Sequence, residues 1–559
     1  MATNTDPDIQ VMPVARDDEK KSVLAEVFSS TPSEPTRNGP LATLKETLRF
    51  RRTTTEQAPC QVYQTETPPP SGSGSVLTKI RRFLVFLGPG AVISVAYVDP
   101  DNYQTAISSG SEFQYKLLFM VLVSNLIAIY IQSLCVKLGT VTGMDLAQMN
   151  HRWLPRWLEL IIYVIAEASI IATDLGQVIG TAIALNILIP KLPLPAACVI
   201  SVVETLLVLL FYTPEGQLRR IRLFEIFVGL LVIVVFVTIC VALSMVSASP
   251  RDVFRGYVPS REIFVDTGLY ASCAILGGTL MPHALYVGTA LSRARLHDFD
   301  TKNSLTPQDS PSSSSDTLSY RPSYRAIKAC LNYSIAELSL TLFTVAIFVN
   351  SALVIISGAA FYRVPGADAN GDIGGVVGGG ADLDRRGAEE PAEFSDDLYD
   401  LYDLFSNTIT PAAGTMFAMS LLFSGISAGI VSTMAGQIVM EGALNIRVSP
   451  FLRRLITRCV AIIPALVIAL AVGQSGLSKA MVACNYLLAV ALVPITFPIV
   501  YYTCFSKYMK VSTDDGTGTV DFKNHIVTAV VGWFLWLLVA VMDIATIVLV
   551  GLGITHDDG

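Results

Sequence analysis

Long apolar runs joined by short polar segments dominate this chain from about residue 83 onward. They stand at about 83–110, 115–136, 158–186, 194–212, 223–247, 266–292, 326–360, 411–439, 453–473, 479–504 and 525–551. A helix needs about 20 residues to cross the hydrocarbon of a bilayer. The pattern therefore predicts an all-α polytopic membrane protein with about eleven transmembrane helices. Residues 1–75 lack apolar periodicity and are rich in Ser, Thr, Pro and charge, which predicts a disordered tail ahead of a transporter-like body over 76–559.

Two of the runs, the first and the sixth, are interrupted by proline beside polar residues. The first reads Gly88-Pro89-Gly90 and then Tyr97-Val98-Asp99-Pro100-Asp101-Asn102; the sixth reads Gly277-Gly278-Thr279-Leu280-Met281-Pro282-His283. Proline removes a backbone donor and breaks the helix, and the freed carbonyls are tolerated in lipid only beside protein or a polar cavity. The two breaks lie five helices apart, at the same place in two five-helix halves. An odd number of helices per half requires the halves to be inverted, and broken helices at matching places mark a substrate site near the midplane.

Composition supports this reading. Of 559 residues, 52% are hydrophobic and 15% are charged, against about 25% charged in a soluble protein. No basic domain suggests nucleic acid, and no nucleophile–base set or cofactor motif suggests an enzyme. The nine cysteines are scattered, mostly in apolar runs, and form no CxxC pair, so they read as small hydrophobes rather than disulfides or a thiolate metal site.

Charge gives orientation. Lys79, Arg81 and Arg82 precede span 1; Lys137, Arg152 and Arg156 lie between spans 2 and 3; Arg219, Arg220 and Arg222 between 4 and 5; Arg447, Arg453, Arg454 and Arg458 between 8 and 9 or just inside 9. All fall on one side, which places the N-terminus in the cytosol. The loop at 294–325, with its Ser-rich stretch Ser310–Asp316, then falls on the cytosolic side. The Gly-rich, acidic loop at 362–403 falls on the other.

The candidate chemistry sits at the breaks. A carboxylate inside a spanning segment is costly and marks an ion path or a proton relay. Asp99 is such a residue; the alternative is a helix cap at the membrane edge. Asn102 offers an amide oxygen one turn on, and the carbonyl of Tyr97 is one that Pro100 leaves available. Met281 adds a soft thioether, which with hard oxygens favours Mn²⁺, Fe²⁺, Co²⁺ or Cd²⁺ over Mg²⁺ and Ca²⁺. His283 is the only histidine in the interior of an apolar span; it reads as a structural and proton-coupling group before a direct ligand. Glu167 and Asp174 are seven apart and share a face of span 3, as a proton relay or as members of buried ion pairs with Arg453, Arg454 or Arg458. Asn485 in span 10 either enters the coordination sphere or bonds between helices.

These residues resemble the Nramp family of proton-coupled divalent metal transporters, over about residues 80–510, in a divergent member of fungal type. The family's Asp-Pro-Gly-Asn motif appears as Asp99-Pro100-Asp101-Asn102, and its Met-Pro-His motif as Met281-Pro282-His283. Ile171–Gly180 is similar to the family's helix 3 and Ala435–Gly442 to its helix 8. The resemblance implies a LeuT-type 5+5 inverted repeat with helices 1 and 6 broken. It implies metal ligands at Asp99, Asn102 and Met281 with a carbonyl near Gly278, and proton movement through Asp99, His283, Glu167 and Asp174. The chain departs from the family at Asp101, where the motif has Gly; at Ala284, where a polar residue is usual; at Gln177, where an acid is usual; and at Asn485, where Gln is usual. Asp101 can raise the cost of ionising Asp99 or add a hard ligand.

The expectation is a transporter that moves a divalent transition metal of the Mn²⁺/Fe²⁺ class toward the cytosol by alternating access. Protons are its co-substrate, and it has no resident cofactor. Its partners are the cation and the lipid bilayer, at the plasma membrane or an endosomal or vacuolar membrane. A divergent paralogue with altered cation preference, a carrier of an organic solute on the same fold, and a metal sensor that does not transport are the rival readings. The acid at Asp99 argues against a carboxylated solute.

Overall fold

The computed structural model describes Ile93, residues 97–201, Leu230, and residues 233–244, 246–302, 321–362, 398–406, 411–445, 450–513 and 518–551. The tail, Lys79, Arg81, Arg82, Arg219, Arg220, Arg222, Arg447, the Ser310–Asp316 stretch, most of 362–403, the Gly88–Gly90 turn and the side chain of Arg454 lie outside the described residues.

The long helices fall on the apolar runs. Span 1 continues past its break as α1 (Pro100–Phe113). Spans 2 and 3 are α2 (Leu118–Thr142) and α4 (Arg156–Leu188). Between them lies a short α3 (Leu146–Trp153), opened by a reciprocal cap in which Asp145 accepts from the Gln148 N–H and Gln148 accepts from the Asp145 N–H. Span 6 is two helices, α5 (Asp266–Thr279) and α6 (Pro282–Lys302). Span 7 is α7 (Tyr324–Thr341) and α8 (Ile347–Ala360), joined by a π turn at Leu342–Ala346. Spans 8 to 11 are α9 (Pro411–Leu444), α10 (Pro450–Ala471), α11 (Gln474–Cys504) and α12 (Ile526–Gly551). Spans 4 and 5 are described in part, as a helix over 194–201 and as Ile233–Ser244. Among the described residues, six helices are long and apolar enough to cross a membrane.

Packing explains the two halves of the core. α4 lies along α9 and also against α10 and α11; α1 packs on α8; α5 packs on α11; α6 packs on α2. Close approach depends on glycine at particular crossings. A Cβ at Gly180 would overlap Pro100, and one at Gly277 would overlap the Asn485 carbonyl and lie 2.6 Å from the Ala489 amide nitrogen. Small residues at helix crossings let backbones meet where lipid gives no hydrophobic drive between helices. The outward faces carry Leu, Val, Ile and Phe, including Val530, Phe534, Leu537 and Val541 of α12, as a lipid-facing surface requires.

One end of the bundle gathers aromatic and basic side chains. Lys507 stands over the Trp153 ring at 4.6 Å, Trp153 meets Tyr508 edge-on at 5.2 Å, and Lys137 donates to Asn524 at 2.7 Å. A short hairpin, β1 (Lys510–Ser512) and β2 (Thr519–Asp521), closes this end with Val511 opposite Val520. None of the eight described cysteines is in a disulfide.

Candidate metal-binding site

The site is built where α1 begins and where α5 gives way to α6. Asp99 is the residue before α1, with extended backbone, and its carbonyl accepts from the Asn102 N–H at 3.0 Å. An Asp in this position ordinarily caps the helix with its side chain. Here the carboxylate makes no cap bond, is fully buried, and neither oxygen has a hydrogen-bond partner among the described residues. The helix-cap reading is met in position but not in chemistry: the backbone does the capping, and the carboxylate is left for something else. Buried polar groups are rarely left unpaired without a cause. The Asp101 backbone N–H and the Gln177 side chain are the donors nearest to it, and Arg458 and Asp174 lie within electrostatic reach.

The unwound residues ahead of α1 are held by side chains from elsewhere. Asn102 Nδ2 donates to the Tyr97 carbonyl at 3.3 Å, and Ser424 of α9 donates to the Val98 carbonyl at 2.5 Å. The expectation that the Tyr97 carbonyl lacks a partner therefore needs amending, since Asn102 supplies one. The same bond fixes the Asn102 amide so that Oδ1 points across to α5. A Cβ at Gly278 would overlap that oxygen and stand 2.9 Å from Asn485 Nδ2. Glycine at 278 is what lets two amides close on the helix end.

The α5 end faces this cluster with its carbonyls. Leu280 closes the helix by donating to the Leu276 carbonyl at 2.8 Å, and Ala284 restarts it by donating to the Met281 carbonyl at 3.1 Å. The carbonyl of Gly278 would be bonded by the N–H four residues on, but that residue is Pro282, which has none. Helix C-termini carry partial negative charge and favour cations. Met281 occupies the break itself and is buried, in the same apolar cluster as Tyr97, Leu276 and Leu280. Ala284 presents a buried methyl, and its carbonyl accepts from Gln132 at 3.0 Å.

Asn485 and Asp101 take different directions. Asn485 Nδ2 donates to the Asp101 carbonyl at 2.9 Å and to Thr105 Oγ1 at 2.8 Å, while its Oδ1 has no partner among the described residues. The Asp101 carboxylate turns instead toward α4: a Cβ at Gly176 would overlap it, and neither of its oxygens meets a hydrogen-bond partner among the described residues. Asp101 is thus buried beside Asp99 but directs its charge at α4 rather than at the α5 end.

The polar residues of α4 connect outward from here. His283 Nδ1 lies 3.4 Å from Thr173 Oγ1, whose own proton goes to the Ser169 carbonyl at 3.0 Å, leaving the imidazole as donor. Ser432 of α9 donates to Asp174 Oδ1 at 2.6 Å. Arg458 donates to the Asp174 carbonyl at 3.2 Å and to Gln177 Oε1 at 2.9 Å. Farther along, Arg453 Nη2 bridges both oxygens of Glu167 at 2.7 and 2.8 Å. The guanidinium of Arg453 lies over Gly436, where a Cβ would be 2.7 Å from Nε. Sequence reasoning found the acids and arginines but not Ser424, Ser432, Thr173 or Thr105, which hold them. The serines at 424 and 432 share one face of α9, a small-residue polar stripe that was a readable signal.

Comparison with known proteins identifies the family. The family model described as Nramp, natural resistance-associated macrophage protein-like, matches residues 90–549. The manganese transporter pdt1 of Schizosaccharomyces pombe is 43% identical over 85% of this chain and 87% of its own. The iron transporter SMF3 of Saccharomyces cerevisiae is 41% identical over 79% of this chain and 86% of its own. Among solved structures, the Eremococcus coleocola manganese transporter superposes with a TM-score of 0.67 at 27% identity, covering 89% of this chain and 92% of that one. With a family match over most of its length and relatives above 40% identity, this chain belongs to the Nramp family.

Proposed function

We propose that this protein moves a divalent transition metal ion of the Mn²⁺/Fe²⁺ class through the membrane toward the cytosol, with protons as co-substrate. The observation that carries the reading is the Asp99 carboxylate: fully buried at a helix start, without a hydrogen-bond partner among the described residues, and near a helix end whose Gly278 carbonyl loses its helical N–H at Pro282. An uncompensated carboxylate at such depth is expensive. A dehydrated cation would offset that cost.

In this reading Asp99, Asn102 Oδ1, the Gly278 carbonyl and Met281 Sδ bind the ion, with the Tyr97 carbonyl at the rim. Asn485 Oδ1 joins as the site closes, and Asp101 adds field from the α4 side. Binding of the cation displaces the proton from Asp99. His283, Asp174 and Glu167, with Arg453, Arg454 and Arg458 as counter-ions, carry protons away from the site. The thioether biases the site toward borderline metals over Ca²⁺ and Mg²⁺. The named relatives, manganese transporters and an iron transporter, support this substrate class. The basic loops support a cytosolic N-terminus, with 1–75 as a tail and 76–559 as the transport body. The membrane is the plasma membrane or an endosomal or vacuolar one.

The test is Mn²⁺ uptake into proteoliposomes with internal pH recorded. Wild-type protein should load Mn²⁺ and acidify the lumen, and Asp99→Asn should do neither. Full uptake by the variant would remove the site from consideration.

A further inference from the structure

α12 contains one charged residue in 26, and it is Asp543. The rule that singled out Asp99 applies to it equally, yet the candidate site does not include it. Its side chain is buried, and neither carboxylate oxygen has a hydrogen-bond partner among the described residues. Among the described residues, no arginine, lysine or histidine acts on it.

Three helices meet there. From α5, the Cys273 thiol approaches the carboxylate closely enough to act on it as a weak donor. Its Sγ lies 3.1 Å from Thr546 Oγ1, and Thr546 donates to the Met542 carbonyl at 3.0 Å. From α11, Tyr486 comes within electrostatic reach of both Asp543 and Cys273, and its buried hydroxyl has no partner. Tyr270 of α5 stacks beside Tyr486, ring centroids 5.3 Å apart. The titratable group that α2 turns to α12, Tyr130, bonds the Thr528 carbonyl, about four turns from Asp543. The surroundings of Asp543 are therefore neutral donors: a thiol and phenols.

A carboxylate in this setting is too costly to stay ionised without a cation. Two phenols, a thiol and one acid do not make the ligand set of a metal, and among the described residues no group of three His, Cys, Asp or Glu side chains is placed to hold one. The smallest cation fits. The location also matters. Cys273 and Gly278 are five residues apart on α5, so they stand on faces about 140° apart. Tyr486 directly follows Asn485 on α11. The same two helices thus touch the candidate metal site on one face and Asp543 on another.

We propose that Asp543 is a proton-binding site at the junction of α5, α11 and α12, separate from Asp99, whose occupancy responds to the position of α5. When α5 shifts, Cys273 moves relative to the carboxylate, and the balance between its protonated and ionised forms moves with it. Only the response to metal rests on the transport reading; the proton site itself does not.

The test is infrared spectroscopy of the purified full chain in lipid nanodiscs, titrated in pH with and without Mn²⁺. A protonated-carboxyl stretching band should be present, be lost in Asp543→Asn, titrate with pH, and change in amplitude when Mn²⁺ is added. Cys273→Ala, which keeps the acid, should shift the frequency of that band without removing it. A spectrum that Asp543→Asn leaves intact, a band that neither pH nor Mn²⁺ alters, or a band that Cys273→Ala leaves unmoved would overturn the proposal. The pH titration is recorded without metal, so a protein that failed to carry Mn²⁺ would sink the transport reading and leave the proton site standing.

Discussion

Arg458 Nη2 donates to Gln177 Oε1 at 2.9 Å, so a buried guanidinium is met by an amide rather than by an acid at that position. The same guanidinium lies within electrostatic reach of Asp99. Its positive charge therefore bears on that acid as well as on the amide it bonds.

Gln177→Glu should change that. A carboxylate at 177 would pair with Arg458 and withdraw its field from Asp99 and Asp174. Those acids would then give up their protons less readily. The pH midpoint of Mn²⁺ uptake should move upward by about one unit. Uptake measured across external pH checks this; an unmoved midpoint would mean that Arg458 does not set proton release.

The breaks and the long helices were readable from the sequence because proline and apolar run length act locally. Pro100 and Pro282 interrupt their spans where expected, and α9, α11 and α12 begin within a few residues of the predicted starts. What was not readable is rotation about the helix axis. Asp101 faces α4 because Gly176 and Gly180 leave room there for Asp101 and Pro100, and that depends on which helix packs alongside. The α3 helix went unread for lack of apolar length, although Asp145-Leu146-Ala147-Gln148 carries a capping signature. Asp543 went unread although a lone acid in an apolar span is itself the signal.

Gly278 is the position where a single methyl should be most damaging to metal binding. A Cβ there would overlap Asn102 Oδ1 and crowd Asn485 Nδ2. Overpacking of this kind costs about 1–3 kcal/mol. If that falls on the bound state, Gly278→Ala should weaken Mn²⁺ binding by about tenfold or more. Calorimetry on the solubilised variant measures it. Wild-type affinity would show that the two amides do not converge on the ion.

The Glu167–Arg453 pair should be structural as well as electrostatic. The bidentate contact is largely buried, with Arg453 at 7% exposure. Removing one partner of such a pair leaves a charge uncompensated and costs about 3–5 kcal/mol. Arg453→Ala should therefore lower the thermal unfolding temperature, and Arg453→Ala with Glu167→Gln should recover much of the loss. Unfolding followed by tryptophan fluorescence in detergent gives the comparison. Equal loss in the single and double variants would show that the arginine acts through packing over Gly436 rather than through charge.

Met281 allows the sharpest separation between a transition-metal site and a general divalent-cation site. The residue sits in the two-residue gap between α5 and α6, where a side chain can reach a cavity without belonging to either helix face. The other proposed ligands are hard oxygens, which bind Ca²⁺ and Mn²⁺ alike, so the thioether alone supplies preference for softer ions. Met281→Ala should reduce Mn²⁺ and Cd²⁺ uptake and allow Ca²⁺ to compete, with Cd²⁺ affected more than Mn²⁺ because it is the softer ion. Competition uptake with the three cations, at fixed pH, reads the order directly. A uniform loss for all three would assign Met281 to packing, and an unchanged order would leave selectivity to the geometry of Asp99, Asn102 and the Gly278 carbonyl.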